Sequence, residues 1–384
     1  MTNSCAFTII CIISLSFFIG CSSLKLDESI PAGEYDWLLG AGSSERSHFL
    51  QAVASPPFSA DWEYNAGGGF ASNALLAKGD FLFVTTLHGE LHLIDILTGK
   101  RIGRQKFDEP ISASAALHDD IIFIPLANGD NTLIAYDLVR GKEFWKKKLG
   151  PVEAAPLIHR EILFAAARNG TLYAIDPKTG TEEWKYETGR MVYSSPAATE
   201  SSVFVGTTAG IVYALNYQNG EVVWKSDTLR TIMSAPVVGG DYLYITSRDS
   251  LVYCFDTTTG EKVWTRNVGA RIYSAPAIGD EYLIVGTAAG DVIALIPETG
   301  EEQWRFSAKS VVNATPLIGG NFVYSVSLDN NVYVLDKRDG VLHWSFDVGS
   351  RLKTTPLLHG NRLILCAEDR RVYSFTQKIS GHTM

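Results

Sequence analysis

The sequence predicts an all-β chain built as an eight-bladed β-propeller of four-stranded antiparallel blades, and three rows of residues in phase carry the prediction. Trp recurs at 145, 184, 224, 264, 304 and 344, each four residues after a glycine (Gly141, Gly180, Gly220, Gly260, Gly300 and Gly340). Pro156, Pro196, Pro236, Pro276, Pro316 and Pro356 form the second row. Tyr173, Tyr213, Tyr253, Tyr333 and Tyr373 form the third, with Ile293 filling its gap. Self-similarity at a period of about 40 residues marks a repeat architecture.

In chain order, the first element is an apolar run over residues 5–20, CAFTIICIISLSFFIG, ending at Gly20-Cys21. Such a run falls short of the ~20 residues a spanning helix needs and suits the hydrophobic region of an export signal over residues 1–20. Residues 21–61 read as a tether and lead-in, with a short helix expected around Glu45–Val53. The propeller is expected over 62–376, followed by a tail, 377–384. Each unit reads as four short strands rich in Val, Ile, Leu and Tyr; in the third they are Ala154–Ile158, Ile162–Ala167, Leu172–Asp176 and Glu183–Tyr186. Asn169-Gly170, Ala209-Gly210 and Ala289-Gly290 supply tight hairpins, and Asp176-x-x-x-Gly180 is a turn in which the Asp accepts backbone N–H groups. A sheet of this size cannot cover both its faces alone, and radial stacking solves the problem. Trp strands at 62, 103 (where Gly stands), 145, 184, 224, 264, 304 and 344 match eight three-strand units. The last unit lacks a Trp strand of its own, so the strand around Trp62 is expected to complete it and close the ring.

Composition limits function. Thirty-three Lys and Arg against 42 Asp and Glu leave a net charge of −9, which argues against nucleic acid as a partner. Cysteines stand at 5, 11, 21, 254 and 366, so no disulfide framework holds the body. His88-Gly-Glu-Leu-His92 has the spacing of a zinc helix but sits on a predicted hairpin, so no metal site is expected. No Gly-x-Ser-x-Gly elbow or phosphate loop is present, and no catalytic residues are expected.

The stretch Tyr173-Ala-Ile-Asp…Thr179-Gly180…Trp184, repeated at Tyr213…Trp224, Tyr253…Trp264 and Tyr333…Trp344, resembles the pyrroloquinoline-quinone-type propeller repeat. Trp37-Leu-Leu-Gly-Ala-Gly-Ser-Ser-Glu-Arg46 resembles the lead-in before the first blade of such proteins. Residues around Cys21 resemble a bacterial lipobox, which implies that Cys21 becomes the acylated first residue of the mature protein; Ser22 after it implies release to the outer membrane. Two branches of the superfamily bracket the function. Quinoprotein dehydrogenases hold quinone and Ca²⁺ with a vicinal Cys pair, a stacking Trp and a Glu/Asn/Asp cluster; Cys254 and Cys366 are far apart, so no quinone or other cofactor is expected. The BamB-type lipoproteins of outer-membrane barrel assembly are similar in length, lipobox and blade number. That resemblance implies partner contacts with a BamA-type barrel protein through the loops Gly189–Tyr193 and Leu229–Met233. Arg190 and Met191 match a Leu/Arg contact pair, whereas the family's acidic positions fall on Thr231 and Met233.

One face is expected to gather Arg168, Arg190, Arg230, Arg248, Arg271, Arg351, Arg370 and Arg371, with Asp249, Asp329, Glu368 and Asp369 available to pair with them. The opposite face collects acidic turns. The expected function is thus a non-enzymatic, lipid-anchored scaffold of the cell envelope. It would bind a membrane protein through Arg190, Met191, Tyr193, Arg230, Arg271 and Arg351. The alternative is a binding module for a small anionic ligand or glycan in the central channel, with a degenerate quinoprotein as a third reading.

Overall fold

The computed structural model describes residues 24–51, 54–228 and 230–378; the apolar run and Cys21 lie outside the described residues. Eight antiparallel sheets form the blades of a closed propeller. Blades 1 to 7 occupy residues 75–106, 116–147, 157–187, 197–227, 237–267, 277–307 and 317–347. Blade 8 combines Leu357–His359, Arg362–Cys366 and Arg371–Gln377 with an outer strand from the other end of the chain, Phe58–Asn65. Trp62 pairs with Ser374 and Asn65 with Arg371, so the expected closure is present.

The middle strands are apolar without alternation because neighbouring blades cover both faces: in blade 3 every residue of Ile162–Ala166 is buried. Outer strands show one side to solvent and alternate, as Glu182–Glu187 does. There the pairing slips beside the Trp, since Ala174 faces Trp184 but Ile175 faces Glu182. This bulge turns the indole onto the next blade. Its ring lies on Gly220, where a Cβ would stand 2.5 Å from the ring, and Nε1 donates to the Tyr217 carbonyl at 3.0 Å. Gly220 has φ +73, a left-handed conformation that glycine adopts without strain. Trp62, Trp145, Trp224, Trp264 and Trp304 make the same bond to the following blade.

Blade 1 lacks that Trp, and the N-terminal segment replaces it. Leu24 packs on Gly103, Lys25 lies against Gly141, and the Leu26 N–H donates to the Leu138 carbonyl at 2.8 Å. Leu138 occupies the position that Pro177 and Tyr217 hold in later repeats. Tyr136 fixes the segment further, its hydroxyl donating to the Leu24 carbonyl at 2.6 Å.

From Trp37 onward the lead-in runs around the inside of the ring, bonded to inner strand after inner strand. Trp37 exchanges two backbone bonds with Ala77; the N–H groups of Leu117, Ala198, Val238, Ile278 and Ile318 donate to Leu38, Ser44, Glu45, Ser47 and His48. Those bonds displace the helix expected around Glu45–Val53. Arg46 and His48 have positive φ (59° and 51°), and Phe49–Leu50 pairs in parallel with the inner strand of blade 7. The backbone groups that a helix would pair internally are bonded to the blades instead.

Candidate functional site

Two surfaces carry the candidate residues: the rim where loops enter the inner strands, and the channel that the lead-in closes.

On the rim, loop cores are pinned by Val192 and Ile232, both fully buried. Between these anchors Arg190, Met191 and Arg230 are exposed, Met191 to 51%. Arg271 and Arg351 are exposed in equivalent loops. Arg230, Arg248, Arg271 and Tyr273 line a cleft of about 590 Å³, with the Arg248 guanidinium 5.4 Å from the Tyr273 ring centre. Asp249 lines the same cleft, and the acids of this face make their direct contacts with other groups. Asp249, Asp329 and Asp369 accept the hydroxyls of Tyr253, Tyr333 and Tyr373 four residues along, and Glu368 pairs with Lys353 at 3.0 Å. Arg168 pairs with Glu153 at 2.6 Å and Arg371 with Glu63 at 3.3 Å. Among the described residues no carboxylate lies within 4 Å of Arg190, Arg230, Arg248, Arg271, Arg351 or Arg370. The rim therefore presents guanidinium groups without direct ion pairs, and in the cleft three of them face the single carboxylate of Asp249, a cationic excess suited to carboxylate or phosphate oxygens.

Tyr193 does not join them. With Met233, Ser195, Ser234, Ser274, Asn73, Asn313 and Thr315 it lines a central cavity of about 250 Å³. Arg46 also lines it, 1% exposed, with Nε donating to the Pro196 carbonyl and Nη2 to the Ala155 carbonyl at 3.0 Å. Burial pulls its pKa down to about 9, and no carboxylate is paired with it among the described residues. His48 beside it is held neutral, its pKa near 3, by burial and by the Arg46 charge. Side-chain atoms of His48, Asn73, Ser112, Ser274 and Asn313 have no partner there. Sequence reasoning passed over this set, although Arg46 ends the lead-in motif it had singled out. Nothing local in the sequence indicated that the motif enters the channel.

The cavity does not fit a quinone and its Ca²⁺. Glu153 is its one lining carboxylate and is committed to Arg168, and Cys254 and Cys366 are buried free thiols in blades 5 and 8. Burial pushes the Cys254 thiol up to about 12. No group of three or more His, Cys, Asp or Glu suited to a metal occurs among the described residues. His88 and His92 lie on either side of the Gly89 turn, and His92 Nδ1 is bonded to the Tyr64 hydroxyl at 2.8 Å.

The family model described as outer membrane protein assembly factor BamB matches residues 87–245, 208–310 and 288–381. The outer membrane protein assembly factor BamB of Burkholderia pseudomallei is 26% identical over 127 residues, 33% of this chain and 32% of that protein. The match thus spans about a third of the curated relative's length. The crystal structure of BamB from Moraxella catarrhalis superposes with a TM-score of 0.69 at 20% identity, covering 83% of this chain and all of that one. The quinohemoprotein alcohol dehydrogenase of Comamonas testosteroni superposes with a TM-score of 0.78 at 13% identity, covering 92% and 82%. At such identities the two structures share the fold alone.

Proposed function

The chain belongs to the family of the outer membrane protein assembly factor BamB, and from that membership we propose that it is a non-enzymatic, lipid-anchored scaffold of outer-membrane assembly, binding a membrane protein of the BamA type. The observation that carries the reading is the rim. Arg190, Arg230, Arg271 and Arg351 stand exposed around the rim without a carboxylate in ion-pair distance, Met191 next to Arg190, on loops held by buried Val192, Ile232, Ile272 and Leu352. Rigid loops present charge and an apolar anchor with little ordering cost on association. Cys21 supplies the anchor and places the propeller on the periplasmic side of the outer membrane. Thr231 and Met233 stand where BamB-type loops carry acids, and Met233 faces the channel, so recognition rests on the arginines.

The test is affinity isolation of the membrane-extracted protein with identification of what accompanies it. Recovery of a BamA-type barrel protein is expected, falling by at least about tenfold in Arg190→Glu/Arg230→Glu/Arg271→Glu. Unchanged recovery and unchanged salt dependence in that variant sink the rim as the contact.

A second reading, a small anionic ligand or glycan in the channel, is favoured by the buried Arg46 and the orphaned polar atoms around it. Native mass spectrometry of the gently purified protein decides it. A bound small molecule lost in Arg46→Met supports the reading, and a bare propeller mass removes it.

A further inference from the structure

We propose that the outer strands of blades 1 and 2 form a membrane-facing surface that rests on anionic phospholipid headgroups. The inference deepens the anchored-scaffold reading and rests on acylation of Cys21.

Charge is the first observation. The outer strand of blade 1, Arg101–Lys106, holds three cations and no acid; that of blade 2, Lys142–Lys147, holds three lysines against Glu143. The other six outer strands together hold eight acids against five cations. Of those six only the strand of blade 5, Lys262–Asn267, with two cations and no acid, shares the sign, and it has no like neighbour, whereas blades 1 and 2 are adjacent. The flanking turns add Lys100, Arg140 and Lys148 but also Asp95, Asp108, Glu109 and Asp137, so the excess belongs to the strands themselves. Part of the charge is balanced, by Glu90 on Arg104, Asp137 on Arg140, Glu143 on Lys146 and Asp130 on Lys148. Among the described residues Lys100, Arg101, Lys142 and Lys147 have no carboxylate within ion-pair distance.

Apolar exposure is the second. Leu97, Ile102 and Phe144 are 53%, 43% and 39% exposed on these same two blades; Val222, Val223, Val263 and Leu342 are exposed on other outer strands, so it is the pairing of apolar exposure with adjacent basic strands that marks this side. Large apolar side chains set among lysines and arginines are the composition of a surface lying at a headgroup boundary.

The third is the tether. Leu24 is fully buried against Gly103, and Leu26 is bonded to Leu138, so the chain is fixed in the groove between these two outer strands. Cys21 precedes Leu24 by three residues, a reach of about 10 Å at full extension. An acyl chain on such a short leash brings blades 1 and 2 to the membrane and leaves the opposite side of the ring remote. The acyl anchor then holds the protein at the membrane, and the basic surface sets which side of the ring rests on it.

The experiment uses the full chain extracted from membranes and reconstituted into phosphatidylcholine vesicles with or without phosphatidylglycerol. Lysine reactivity toward an amine label is read residue by residue by mass spectrometry. Phosphatidylglycerol is expected to lower labelling of Lys142, Lys146, Lys147 and Lys148 by about threefold or more while Lys185, Lys225 and Lys262 stay unchanged. The protection should vanish at about 0.5 M salt and, read at Lys146 and Lys148, in Arg101→Glu/Lys142→Glu/Lys147→Glu, with Lys185→Glu/Lys225→Glu as the control that retains it. Equal labelling around the ring overturns the proposal. So does protection that follows a co-purified protein rather than phosphatidylglycerol, which would assign the surface to an acidic protein partner. The intact mass separates this from failure of the anchor. A chain without acyl mass on Cys21 removes the lipid-anchor reading, and the basic surface is then judged by sedimentation of that chain with phosphatidylglycerol vesicles. Salt-sensitive co-sedimentation sustains it, and none overturns it.

Discussion

At the scale of single residues, His48 shows how the closed channel sets a pH response. It is buried beside Arg46 and has its pKa lowered from 6.5 to about 3, whereas in the unfolded chain it titrates normally. Between those values the unfolded state binds the extra proton, so stability falls as the pH is lowered through that window. The difference amounts to about 2 kcal/mol between pH 6.5 and 5. Denaturant unfolding of His48→Asn should show that much less loss over this interval, asparagine tolerating the positive φ. Equal pH dependence in both proteins would place the acid sensitivity elsewhere. Gly103 makes a second case. It was visible as the gap in the Trp row, but what fills a gap is not written at the gap. Leu24, nearly eighty positions upstream, does so, and an amphipathic Ser-Leu-Lys-Leu stretch carries no periodic signal. A Cβ on Gly103 would lie 3.2 Å from the Leu24 Cα, so Gly103→Trp should expel the segment. Tryptic cleavage after Lys25 is expected to accelerate by at least about tenfold, and an unchanged rate would show that the ring finds room beside Leu24.

At the scale of elements, strands and turns were legible because their determinants are local. In blade 3 the strands expected from Ile162 and Leu172 begin within a residue of where they stand. Gly170 and Gly210 take the positive φ their hairpins need, and Asp176 accepts the N–H groups of Lys178 and Thr179. The lead-in was illegible for the opposite reason, since its hydrogen bonds go to strands dispersed over the whole ring. That arrangement has a measurable consequence. The amides of Ala198, Val238, Ile278 and Ile318 belong to inner strands of only two or three residues, and their protection depends on acceptors between Ser44 and His48. Arg46 secures that stretch by bonding to blades 3 and 4. Hydrogen exchange in Arg46→Met should therefore quicken at these four amides by about tenfold or more while the middle strands stay protected. Uniform acceleration would mean that Arg46 supports global stability only.

At the scale of the whole molecule, closure distinguishes the ring from a stack, and it was legible as arithmetic: eight Trp-type positions offset by one from eight three-strand units. The sites were less so. The arginines were legible as a group, but that Asp249, Asp329 and Asp369 are held by tyrosine hydroxyls rather than in direct ion pairs with them is a side-chain arrangement no spacing reveals. Closure itself can be measured through two equivalent tryptophans. Trp184 joins blades 3 and 4, and Trp62 joins the outer strand of blade 8 to blade 1, bonding to the Ile96 carbonyl at 3.1 Å with its ring on Gly99. In an open stack Trp62 would lie at a terminus, so that Trp62→Ala would fray one end and leave the rest intact. In a closed ring every interface is internal and the loss is borne by the whole domain. Each Trp→Ala substitution removes a ring wedged between blades, at a cost of about 3–5 kcal/mol. Trp62→Ala and Trp184→Ala are therefore expected to lower the denaturation midpoint by similar amounts, each with one cooperative transition. A small effect or a separate early transition confined to Trp62→Ala would mean that blade 8 is closed only loosely and that the ring opens at the seam between the chain's two ends.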